Sequence, residues 1–124
     1  DPATGGYWTV SSDGGIFAFN AAFAGSMGGK PLTKPMVGMA ADPATGGYWT
    51  VSSDGGIFAF NAAFAGSMGG KPLTKPMVGM AADPATGGYW MVSSDGGIFS
   101  FNAAFAGSMG GKPLASPVVG MTSS

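Results

Sequence analysis

Short apolar segments alternate with glycine- and proline-bearing breaks along the whole chain, and they carry the two-residue alternation of strands. Tyr7-Trp8-Thr9-Val10-Ser11 is rich in aromatic and β-branched residues and reads as a strand. Ser12-Asp13-Gly14-Gly15 follows. Asp-Gly is a strong hairpin signal, because both central residues of a type I′ turn need positive φ. Ile16 to Asn20 is the return strand, and a shorter third strand is expected near Phe23 to Ser26. The loop Met27 to Pro35 holds two glycines and two prolines, which oppose regular pairing. Met36 to Ala40 supplies a fourth strand, and Asp42 to Gly47 turns the chain onward. No long stretch combines helical periodicity with freedom from glycine and proline, so no helix is predicted.

The hairpin implies a register. With Asp13-Gly14 as a two-residue turn, Ser11 faces Ile16, Val10 faces Phe17, Thr9 faces Ala18 and Trp8 faces Phe19. One sheet face then carries Trp8, Val10, Phe17 and Phe19, and the other Tyr7, Thr9, Ser11, Ile16, Ala18 and Asn20. Trp8 is expected to pack in a core on Phe19-type partners, while the tyrosines reach solvent or a neighbour.

The whole pattern recurs with a period of 41 residues, each copy opening on DPATGGYW. Residues 1–41 and 42–82 are identical, residues 83–123 differ at seven positions, and Ser124 is left over. Such a period marks a repeat architecture. In the third copy, Thr9 and Thr50 give way to Met91, and Ala18 and Ala59 to Ser100. The expected register sets these positions opposite each other, which reads as coupled repacking. Ala115, Ser116, Val118, Thr122 and Ser123 complete the differences and fit the atypical terminal copy of an array.

The fold class expected is all-β, a single domain of three tandem four-stranded antiparallel repeats forming propeller-like blades. A β-trefoil, a β-prism and a β-solenoid are the alternatives. Blades are favoured because both sheet faces carry apolar residues, and because Met36-Val37-Gly38-Met39 suits an inner strand near an axis. The string GGYWTVSSDGGIFAFNAAFAGSMGG followed by KPMVGMAADPATGGYW resembles tandem repeats of bacterial secreted and cell-surface proteins, often actinobacterial. Those repeats carry a GYW-x-V-x-x-DGGIF-x-F core and a proline-led VVGMA strand, matched here by Pro117 to Met121. The resemblance covers the chain and implies a propeller-like fold, an extracellular or cell-surface location and no catalytic residues. The family repeat usually has glycine where Asn20, Asn61 and Asn102 stand.

Composition narrows the chemistry. Aromatics make up 12% of residues, enough to argue against disorder. Only 9% are charged and the net charge is −1, so no footprint for nucleic acid exists. No apolar run approaches the ~20 residues of a membrane-spanning helix. No signal peptide is visible, and an opening on Asp1 fits a processed chain or a piece of a longer one. There is no Arg, Glu, His or Cys. Triads that need a histidine base, thiolate metal sites and disulfides are thereby excluded, and neither a catalytic residue nor a metal or other cofactor is expected. Asp13, Asp54 and Asp95 sit in Ser-Asp-Gly-Gly turns, where aspartate bonds its own backbone.

Two functions follow as expectations. Three blades are too few to close, since propellers typically have about 4–8, so the chain should join copies of itself. Two chains would make a six-bladed ring and three a nine-bladed one on the same count. A contact that does not close would make a filament. Alternatively, a glycan or cell-wall polymer would meet Tyr7, Asp13 and Lys30, with their copies Tyr48, Asp54 and Lys71 and Tyr89, Asp95 and Lys112. Identical copies also suit an engineered repeat protein, although the diverged third does not.

Overall fold

The computed structural model describes residues 1–123. The fold is all-β, with no helix among the described residues. The strands are β1 (Tyr7–Val10), β2 (Ile16–Phe19), β3 (Met36–Ala41), β4 (Tyr48–Ser52), β5 (Ile57–Phe60), β6 (Met77–Asp83), β7 (Gly88–Ser93) and β8 (Ile98–Phe101). They form three small antiparallel sheets, β1-β2, β3-β4-β5 and β6-β7-β8. Each three-stranded sheet therefore joins the last strand of one repeat to the hairpin of the next.

The hairpin register is one residue away from the expected one. Tyr7 faces Phe19, Trp8 faces Ala18, Thr9 faces Phe17 and Val10 faces Ile16. The connection has three residues, not two. Ser11 N–H donates to Gly15 O at 2.9 Å, and Gly14 N–H donates to Ser11 O at 2.9 Å. Gly14 has φ 91° and absorbs the extra residue, as in a turn closed by a glycine bulge. The faces change accordingly. Tyr7, Thr9, Phe17 and Phe19 share one, and Trp8, Val10, Ile16 and Ala18 the other. The cross-strand aromatic pair is Tyr7–Phe19, with ring centroids 5.4 Å apart, and not Trp8–Phe19.

The third strand is also absent: Phe23 to Ser26 makes no ladder, so the sheets are not four-stranded. Side chains satisfy the segment's backbone instead. Trp8 Nε1 donates to Ala22 O at 2.9 Å, and Tyr48 Oη accepts from Ala24 N–H at 2.9 Å and donates to Gly25 O at 2.6 Å. Three bonds from two aromatic side chains remove the need for a strand partner.

The sheets stack face to face, tryptophan side against tyrosine side. Trp49, Val51 and Ile57 of the middle sheet meet Tyr89 and Met91 of the last, with Met77 and Met80 completing the core. Strands β3 and β6, and β6 and the segment after Pro117, touch through glycine. A Cβ at Gly38 would lie 3.3 Å from Gly79 Cα, and one at Gly79 would lie 3.4 Å from Gly120 Cα. A side chain there would push the strands apart.

Met91 faces Phe99 and Ser100 faces Trp90, so the two third-copy changes sit on opposite faces and are not a coupled pair. Met91 has its own reason. The equivalent Thr50 is buried, and its hydroxyl has no hydrogen-bond partner among the described residues. Met91 is buried without that cost. Thr50→Val should stabilise the fold by about 1 kcal/mol, the return from removing an orphaned hydroxyl at constant shape. Denaturant titration checks this, and a net loss would mean that Thr50 Oγ1 is paired.

Candidate functional site

Two kinds of surface stand out, a polar rim and an aromatic joint. On the rim, the Ser-Asp-Gly-Gly turn of each repeat meets its lysine-bearing loop. Met27 N–H donates to Gly14 O at 3.0 Å, which draws the loop up to the turn. Asp13 and Lys30 thereby line one shallow pocket of about 270 Å³. Asp54 and Lys71 line a second of about 290 Å³, and Asp95 and Lys112 a third of about 340 Å³. Lys34 reaches the second pocket and Lys75 the third, so each of these also draws on the preceding repeat. Each aspartate thus shares a pocket with the lysine of its own repeat, and no tyrosine lines any of the three. The other end of each hairpin is locked separately: Thr4 Oγ1 donates to Asn20 O, and Asn20 Nδ2 donates to Thr4 O at 3.2 Å.

The rim carboxylates are committed to the turns. Asp13 Oδ1 accepts from Ser11 Oγ and from Gly15 N–H at 3.0 Å. The Ser11 hydroxyl, then Gly15 N–H, holds the Asp13 carboxyl below its ordinary range. Asp95 is held low in the same way by Ser93 and then Gly97, with a smaller pull from Lys75. No group of three metal-ligating side chains occurs among the described residues. What the rim offers chemically is a carboxylate and ammonium groups lining the same shallow pocket.

The joint is aromatic. Tyr48 lies over Trp8 with ring centroids 5.2 Å apart and grips the backbone of Ala24 and Gly25 through its hydroxyl. Tyr89 repeats this on Trp49 at 5.1 Å, accepting from Ala65 N–H at 3.0 Å and donating to Gly66 O at 2.5 Å. Burial raises the Tyr89 pKa. Tyr48 and Tyr89 are fully buried, which corrects their placement as ligand-facing residues. Tyr7 alone of the three tyrosines is exposed.

The sequence reading missed one feature, an apolar pocket of about 290 Å³ lined by Trp90, Ile98, Ala106, Gly107 and Met121. Its residues match those that seat Tyr48 and Tyr89. The Tyr-Trp dipeptide could have disclosed it, since a three-copy chain that stacks tyrosine on tryptophan leaves its last tryptophan bare.

A carboxyl whose folded pKa is depressed stabilises the fold above its unfolded pKa of about 3.9, and that contribution fades as pH falls through the folded value. Ser93→Ala should therefore move the Asp95 titration upward in NMR and narrow the acid tolerance of the third turn. An unmoved titration would show that the hydroxyl is not the cause.

No protein-family model, curated protein or solved structure matches the chain. Its function rests on the geometry of these surfaces.

Proposed function

We propose that the chain is a non-catalytic structural module of a secreted or cell-surface protein, whose repeats stack as propeller-like blades and whose ends join other copies into a ring or filament. One observation carries this reading. Tyr7 is 62% exposed, whereas the same residue in the identical second repeat, Tyr48, and in the third, Tyr89, is 0% exposed. Phe17 and Phe19 lie beside Tyr7 and are 56% and 48% exposed, while their copies are half-buried. The difference comes from the missing neighbour, since the sequences are the same. Phe23, Phe64 and Phe105 provide the contrast. They are 61%, 60% and 61% exposed, so stacking leaves them unchanged. An aromatic patch that is buried wherever a neighbour exists is a surface built to be covered.

The location rests on the resemblance of the repeat motif. No helix among the described residues is long and apolar enough to cross a membrane. Light scattering at roughly tens of micromolar should give a mass well above the 12.2 kDa of one chain, at two or more times that value. A stable monomer would overturn the reading.

A second reading, multivalent binding of a sugar or cell-wall polymer, is supported by the three rim pockets that join Asp13 to Lys30, Asp54 to Lys71 and Asp95 to Lys112. It predicts glycan-array hits that weaken at least tenfold when Lys30, Lys71 and Lys112 are all changed to alanine. An array without hits removes it.

A further inference from the structure

We infer that two copies join head to tail by strand donation: the segment Val118 to Ser123 of one copy adds to the free edge of β1 in the next, and Tyr7 of that copy enters the Trp90 pocket of the first. This rests on the self-association proposed above and specifies how it is made.

The chain already contains this joint twice. β3 pairs with β4 so that Met36 faces Ser52, Gly38 faces Val51, Met39 faces Thr50, Ala40 faces Trp49 and Ala41 faces Tyr48. β6 pairs with β7 in the same register. Carried forward by the 41-residue period, Val118 would face Ser11 of a second copy, Gly120 Val10, Met121 Thr9, Thr122 Trp8 and Ser123 Tyr7. Both halves of this third joint are present and vacant. β1 pairs only with β2 among the described residues, and the segment after Pro117 has no ladder partner there.

The donor segment is already held in place. Val118 N–H donates to Ser94 O at 2.8 Å, as Met36 does to Ser12 and Met77 to Ser53. Ser123 Oγ donates to Ala82 O at 2.7 Å, and Gly120 lies against Gly79. A segment ordered before it binds loses little entropy on pairing. An unpaired edge beside an ordered strand is the setting for β-augmentation.

The vacancies correspond atom by atom. Around Gly25 the nearest neighbour to a built Cβ is the Phe60 ring at 3.1 Å, and around Gly66 it is the Phe101 ring at 2.8 Å. Around Gly107 there is nothing within 4 Å, and Phe19 of the next copy is the ring that would fill it. Likewise Gly38 meets Gly79, Gly79 meets Gly120, and Gly120 meets nothing within 4 Å, the place of Gly38 in the next copy. Ala106 N–H and Gly107 O are the counterparts of the groups that bind Tyr48 and Tyr89. The contact is heterologous, so it propagates in one direction.

The test places one cysteine on each side of the joint. The chain has none of its own. Thr9→Cys and Met121→Cys chains are mixed in equal amounts and treated with a short bifunctional thiol reagent. Directly opposed residues have Cβ atoms about 5 Å apart, within its reach. The mixture should give a covalent dimer, each variant alone should not, and the double variant should give a ladder of multimers. Tyr7→Phe should weaken association roughly five- to hundredfold, the worth of the two hydrogen bonds its hydroxyl would make. Oligomers that form without the mixed cross-link overturn the strand-donation joint and leave self-association standing. Efficient cross-linking of either single variant to itself shows a two-fold contact and also overturns the joint. A monomeric mass removes both.

Discussion

Each contact between neighbouring sheets is closed by one tyrosine. The Tyr48 ring covers Trp8, and its hydroxyl bonds an N–H and a C=O of the segment that follows the preceding hairpin. Much follows from that contact. It lets residues 21–26 dispense with a ladder, and it buries the tryptophan face of one sheet against the tyrosine face of the next, while the Met-Val-Gly-Met strands meet beside it. Those strands can approach closely only because Gly38, Gly79 and Gly120 stand where they touch. A phenol with two hydrogen bonds above and glycine below set one geometry from both ends of the joint.

Much of this was legible in the sequence. The 41-residue period, the all-β class, the hairpin and the Met-Val-Gly-Met strand were all recoverable from composition and turn residues. The register was not. Asp13-Gly14 permits a two-residue turn, but Gly14, at φ 91°, instead closes a three-residue one, with Ser11 bonding Asp13 and pairing with Gly15. One residue of slip exchanges every side chain between faces. The slip moved Phe17 and Phe19 beside Tyr7, and so hid the aromatic patch that distinguishes the first sheet. The expected strand at Phe23 to Ser26 failed for a related reason. Local propensity cannot show that a tyrosine 24 residues further on will bond the backbone at Ala24.

The rim was easier to anticipate than the joint. Asp13 and Lys30 meet because an antiparallel hairpin places its turn and the loop after it at one end, which is a matter of topology. The asparagine just after each second hairpin strand also has a backbone reason. Asn20, Asn61 and Asn102 have φ of 50°, 52° and 52°, a region that glycine enters freely and asparagine tolerates. Their side chains then return a bond to the Thr4, Thr45 and Thr86 carbonyls, an anchor that glycine lacks.

A sheet assembled from two consecutive repeats makes no repeat complete by itself. In arrays of this kind, stability is a sum of terms for single repeats and for the joints between them. Three repeats in one chain contain two joints, formed at Tyr48 and Tyr89, and the parts of a third. If copies associate through that third joint, each added chain contributes as much new contact as either joint inside it. The folded state then depends on protein concentration, as it does wherever a partner binds only the native form. Low charge favours the same outcome, since only 9% of residues are charged and little repulsion opposes the approach of two identical ends. The residues that would need to change to keep such a chain solitary are therefore few: the ring at Tyr7, the bare edge of β1, and the glycine at position 120.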